Sequence, residues 1–120
     1  MGNFHESLFE INFNDLEWNL SFLKSKLNLN TKIIAVVKAF AYGHGDLEIC
    51  KKLENLDIYA FWVADFEEGV LLRKHGIKKP IIVANTSPKS ISQIIKYNLD
   101  VVVYNFRMLD ALASKKAQVK

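Results

Sequence analysis

The chain has 120 residues, half of them hydrophobic and 24% charged, with a net charge of +3. That composition predicts one globular domain with a real core and excludes a disordered or fibrous class. The lysines are scattered among carboxylates, and the one dense cluster, "SKKAQVK", ends the chain, so nucleic acid is not expected as a partner. A single cysteine, Cys50, allows no internal disulfide, which fits a reduced, cytoplasmic setting. No apolar run approaches the ~18 residues a membrane span needs, so no membrane partner is expected. "MGNFHESLFEINF" lacks a basic-then-apolar signal layout, and Glu6 stands where myristoylation wants Ser or Thr.

In chain order, "LFEINF" alternates, with Phe9, Ile11 and Phe13 on one side and Glu10, Asn12 and Asn14 on the other. That pattern predicts a half-exposed strand. Asp15 is then placed to cap a helix, "LEWNLSFLKSKL", whose Leu16, Leu20, Leu23 and Leu27 share a face. Four nearly continuous apolar runs come next, at 33–37, 58–64, 80–84 and 101–104. Each suits a strand covered on both faces. Their starts lie roughly 20–25 residues apart, the length of a strand plus a crossover helix.

Helical segments with readable ends fill the gaps. Asp46 is positioned to cap "LEICKKLEN". Asp65 and Glu68 have capping-box spacing, and Gly76 stands where a helix over "FEEGVLLRKH" should stop. Ser87-Pro88 opens "KSISQIIKY", which ends at Asn98, and Asn105 precedes "FRMLDALASKK". Repeated βα units imply an α/β fold with a parallel sheet, either doubly wound or a (β/α) barrel. A closed eight-unit barrel takes ~250 residues, so four units make half of one.

The chemistry concentrates in "KIIAVVKAFAYGHG". Lys38 ends the first of the four apolar runs, at the strand end where α/β folds place ligands. Apolar surroundings there would desolvate the amine and favour the free nucleophile, which forms a Schiff base with a carbonyl. The plain alternative is a solvated strand-end lysine. Gly43 and Gly45 permit a tight loop whose amides face an anion, and Tyr42 adds a hydroxyl. No GxxxxGK and no GxGxxG occurs, so a nucleotide-binding loop is excluded on spacing. His44 suits either a phosphate contact or local packing. Cys50 beside Ile49 and Leu53 reads as core, Trp18 and Trp62 as helix and strand core, and Asp65 as a cap. His5 and His75 lack partners at ligand spacing, so no metal is assigned.

This stretch resembles the pyridoxal-phosphate lysine segment of alanine racemases, of the form AVVKAxAYGHG. "FEINFNDLEWNLSFLKSKL" is similar to that family's opening strand and helix. "FWVADFEEGVLLRKHGIKKPIIVANTSP" and "YNLDVVVYNFRMLDAL" are similar to its later βα units. The resemblance implies the N-terminal half of a (β/α)8 TIM-type barrel, preceded by one strand and a helix. Residues 1–120 would hold its first four βα units, without the rest of the barrel or the C-terminal β domain. "SKKAQVK" would lead into the next strand.

It further implies a cytoplasmic homodimer that interconverts L- and D-alanine and supplies D-alanine for peptidoglycan. Lys38 would carry pyridoxal 5'-phosphate and move the α-proton on one face. Tyr42 would hydrogen-bond the phosphate, and Val36 would line the cofactor pocket. The family's second proton carrier is a tyrosine of the partner subunit's C-terminal domain. Nothing in these 120 residues corresponds to it, nor to the family's later histidine, arginines and serine. Phe40 departs from the motif, since the family usually has Asp or Asn there. The alternatives are another racemase or decarboxylase of the same barrel type, and a non-catalytic pyridoxal-phosphate-binding protein.

Overall fold

The structure is a computed structural model that describes residues 7–115. His5 and the last five residues of "SKKAQVK", those after Lys115, therefore fall outside the described residues. The chain divides into two compact units, Met1–Thr31 and Lys32–Lys120.

In the first unit, helix α1 spans Phe13–Ser25. Its cap is Asn12 and not the expected Asp15: the Asn12 side chain accepts from the backbone N–H groups of Asn14 and Asp15. Asp15 lies instead in the first turn, where a carboxylate complements the helix dipole. The expected strand over 8–13 does not form. Residues 8–12 join no ladder among the described residues, and Phe13 is already helical. The alternation is real, but a strand needs a neighbour, and Asn12 satisfies the local amides by itself. Leu27 falls past the helix end, so only Leu16, Leu20 and Leu23 of the expected face lie on α1. Trp18 is not core: it is exposed and stacks on Phe22, with ring centroids 5.5 Å apart.

The second unit is a four-stranded parallel sheet of β1 (Ile34–Val36), β2 (Ala60–Val63), β3 (Ile81–Val83) and β4 (Asp100–Val101). Helices α2 (Asp46–Glu54), α3 (Phe66–Lys74), α4 (Ile91–Lys96) and α5 (Phe106–Ser114) alternate with them. A short 3-10 turn, Pro88–Ser90, leads into α4. The strands lie in the order β1-β2-β3-β4. Parallel crossovers share one hand, so unbroken sequential order places every helix on the same side. A doubly wound sheet would reverse direction at a switch point, and this one does not.

Burial bears this out and corrects the expectation of strands covered on both faces. The register puts Phe61, Val63, Ile81 and Val83 on one face, and all four have no exposed surface. Ile34, Val36, Trp62 and Ile82 share the other face. Ile34 and Val36 there are 40% and 45% exposed, and Trp62 and Ile82 are only half-buried. The helix layer supplies Cys50, Leu53, Leu72, Ile91, Ile94, Met108 and Leu112, all buried. Cys50 is core, as its neighbours in sequence suggested. Gly69 lets α3 approach closely: a Cβ there would meet Leu99 methyl carbons at 3.1 and 3.3 Å.

The N-terminal ends of the strands are tied by charges that sequence reading passed over. The Arg73 guanidinium donates to the carbonyls of Ile77, Lys79, Tyr97 and Asn98 at 2.7–3.0 Å. Burial lowers its pKa, while Glu54 and Asp100 act to raise it. The Glu54 carboxylate accepts from the backbone N–H groups of Lys78 and Lys79, and the Lys79 ammonium donates to the Ile58 carbonyl. Such a network fastens the end of the sheet opposite to Lys38.

A lysine and a left-handed turn at the sheet edge

The Val37 N–H continues the ladder from β1 by donating to the Trp62 carbonyl, and Val37 is buried. Lys38 comes next, at the C-terminal edge of the sheet, and is exposed. Among the described residues, none pairs with the Lys38 ammonium or the Tyr42 hydroxyl. The apolar enclosure expected around this lysine is thus not formed by the described residues. Val36 stands two residues earlier on the open face.

The backbone after Lys38 departs from expectation. Ala39, Phe40, Ala41 and Tyr42 all take left-handed backbone, with φ of 52°, 55°, 52° and 57°. A left-handed helical turn costs L-residues roughly 1–2 kcal/mol each, because Cβ crowds the carbonyl. Its bonds mirror those of an ordinary helix. The Ala41 N–H donates to the Val37 carbonyl at 3.0 Å, and the Gly43 N–H to Ala39 at 3.0 Å. Gly43 and Gly45, at φ 86° and 91°, then release the chain into α2. Four residues complete about one turn, which begins directly after Lys38 and takes in Tyr42.

The turn also corrects the reading of an amide cradle. The N–H groups of Ala41, Gly43, His44 and Gly45 all donate to carbonyls within the segment. These four amides are spent on holding the turn and do not face outward as a cradle. His44 serves the turn too, with Nδ1 2.8 Å from the Ala41 carbonyl oxygen. Gly45, and not Asp46, occupies the cap of α2, and the Asp46 carboxylate accepts from the Leu47 N–H.

The capping box is half as expected. The Asp65 carboxylate accepts from the Glu68 N–H at 3.1 Å. However, the Glu68 carboxylate does not return to Asp65. It accepts from the Ala64 N–H and from the Ala39 N–H, each at 2.7 Å. Sequence reading left Glu68 as a cap. The spacing from Asp65 was the available signal, but a partner twenty-nine residues away is set by the sheet.

Fold and site together define a (β/α) sheet arc with an unpaired lysine at the ligand-bearing edge, followed by a strained turn ending in a tyrosine. The family model described as "Alanine racemase, N-terminal domain" matches residues 11–120. The chain belongs to that family. It is 39% identical over 110 residues to alanine racemase 2 of Clostridium acetobutylicum, covering 91% of this chain and 28% of that protein. It is 35% identical over 112 residues to an amino-acid racemase of Enterococcus faecalis, covering 92% of this chain and 16% of that one. Among solved structures, an alanine racemase of Clostridium difficile 630 superposes with a TM-score of 0.81 at 33% identity, covering 85% of this chain and 27% of that one. The chain spans less than a third of the length of each of these relatives.

Proposed function

We propose that this chain is the cofactor-lysine segment of a pyridoxal-phosphate-dependent alanine racemase. The observation that carries the reading is Lys38, unpaired and exposed at the C-terminal sheet edge, one left-handed turn before Tyr42. The donor set fits the group: an amine for a carbonyl, a phenol for a phosphate, and an apolar wall at Val36. When bound, pyridoxal phosphate supplies an electron sink that makes the amino acid's α-proton removable. Lys38 Nζ takes or returns that proton on one face. Tyr42 would donate its hydroxyl to the phosphate. Val36 would line the cofactor pocket.

In this reading the opposite-face proton carrier, the remaining barrel strands and the C-terminal β domain come from residues outside this chain. The short span relative to its relatives and the apolar open face of the sheet support that division. The working enzyme is then a cytoplasmic homodimer supplying D-alanine for peptidoglycan. A second reading, racemisation of another amino acid, is favoured by Phe40, which is 66% exposed in the motif, and by the name of the Enterococcus relative.

Borohydride reduction of the cofactor-loaded protein, followed by peptide mapping, tests the reading. The label is expected on Lys38. A label elsewhere, with Lys38→Ala still fixing the cofactor, overturns it.

A further inference from the structure

Glu68 joins two strand ends with one carboxylate. Ala64 directly follows β2, and Ala39 directly follows Lys38. Oε2 accepts from the Ala64 N–H and Oε1 from the Ala39 N–H, both at 2.7 Å. The capping of α3 does not require either bond, because Asp65 already accepts from the Glu68 N–H. The Ala39 N–H belongs to the peptide that begins with the Lys38 carbonyl. On the other side of Lys38, the Val37 carbonyl accepts from the Ala41 N–H at 3.0 Å. The Lys38 Cα therefore sits between two pinned peptide planes, and Glu68 holds the second of them at the entry to the left-handed turn.

We propose that Glu68 is a positioning residue for Lys38: it fixes the direction in which the lysine side chain leaves the sheet edge. This rests on the reading that Lys38 carries the cofactor. A carboxylate suits the task because it accepts through both oxygens and donates nothing. Glutamine offers one acceptor and turns an NH2 toward the other amide. The bonds are charge-assisted, and their acceptor is mounted on the first turn of a helix, so the constraint is stiff.

The test compares the wild-type chain with Glu68→Gln and Glu68→Ala. The first readout is amide hydrogen exchange without cofactor. Exchange at Ala39 should speed up at least tenfold in Glu68→Ala, while core amides such as those of Leu72 and Val83 keep their protection. The second is borohydride trapping of pyridoxal phosphate, scored as label on Lys38 relative to Lys74. That ratio should fall at least tenfold in Glu68→Ala and by less in Glu68→Gln, with the label on Lys74 unchanged. Unchanged exchange at Ala39 overturns the clamp. Faster exchange with the Lys38 ratio intact makes Glu68 merely structural and also overturns the proposal. A wild-type chain without preference for Lys38 overturns the cofactor reading instead. The rate of Lys38 acetylation by a small reagent then decides the positioning role, which fails if Glu68→Ala leaves that rate unchanged. Should Glu68→Ala not fold, Glu68→Gln carries every readout at a smaller expected change.

Discussion

The Glu68 carboxylate lies 2.7 Å from the backbone nitrogen of Ala39, the first residue of a left-handed turn and the neighbour of Lys38. Four residues at positive φ store strain of roughly 4–8 kcal/mol, at about 1–2 kcal/mol each. Hydrogen bonds to a charged group contribute about 1.5–3 kcal/mol apiece. Glu68 and the bonds within the turn thus offset strain placed beside the residue that carries the chemistry, where strain tends to collect.

Relieving that strain should stabilise the protein. Phe40 is the place to look, since its side chain is 66% exposed and its φ is 55°. Phe40→Gly removes the Cβ clash but frees the unfolded chain, which costs about 0.5–1 kcal/mol. The net expectation is neutral to about 1 kcal/mol more stable, read by urea denaturation. An exposed glycine substitution that destabilises by more than about 1 kcal/mol, beyond that entropic cost, would show that the turn is not strained.

Much of the scaffold was legible. Three apolar runs with β-branched residues became β1, β2 and β3, and Gly76 and Asn105 mark helix ends where expected. Apolar continuity read the strands, and local rules read the helix ends because a cap's partners lie within one turn. The strand over 8–13 failed because alternation states a preference and not a partner. The run at 101–104 forms a strand of just Asp100–Val101, with the Val102 N–H donating to the Val83 carbonyl beyond it. The left-handed turn was illegible because Ala, Phe, Ala and Tyr each disfavour it; only the two glycines after it hinted at unusual backbone. Glu68 read as part of a cap and Arg73 was passed over, since their amide and carbonyl partners are brought together only by the sheet.

Tyr42→Phe keeps the ring and removes one hydroxyl that the described residues leave unpaired. Under the proposed function that hydroxyl meets a charged phosphate, worth about 1.5–3 kcal/mol. Pyridoxal phosphate affinity should fall about tenfold or more, which corresponds to about 1.4 kcal/mol. Because Tyr42 is 61% exposed, the unfolding midpoint without cofactor should barely move. Lost stability with unchanged affinity would make Tyr42 a packing residue.

Arg73→Met tests the opposite end of the sheet. The side chain loses four carbonyl partners, and no methionine atom replaces them. A loss of roughly 2–4 kcal/mol is expected, from several charge-assisted bonds at about 1.5–3 kcal/mol gross. Arg73→Lys should recover only part, since an ammonium does not reproduce the fork. Lys38 trapping in the folded variant should be unaffected. A variant as stable as wild type would show the network to be incidental.

Cys50 sets a limit at high pH. Burial first, then Asp46 and Glu54, push its thiol from 9.0 up to about 12. The folded value is raised, so this contribution is complete below about pH 9 and is lost as pH climbs toward 12. Over that window the loss is of order 1.4 kcal/mol per pH unit. Cys50→Ala should lose less stability between about pH 9 and 11 than wild type does, and the native thiol should resist a thiol reagent at about pH 8. Equal slopes, or rapid native labelling, would contradict the buried position.

The last prediction concerns the chain alone. Its sheet has free edges at β1 and β4 among the described residues, and an apolar face where Ile34 and Val36 are 40% and 45% exposed. Parallel strands in a barrel have no edges, and unpaired edges invite other chains. Under the proposed function the second proton carrier also lies outside this chain, so bound cofactor should not interconvert the enantiomers of alanine. Residues 1–120 should therefore associate in solution, or bind a hydrophobic dye, and show no racemisation with added pyridoxal phosphate. Light scattering, dye fluorescence and a chiral assay read the three outcomes. A compact, dye-silent monomer with measurable turnover would mean that the open face is closed from within and that this chain carries both proton carriers.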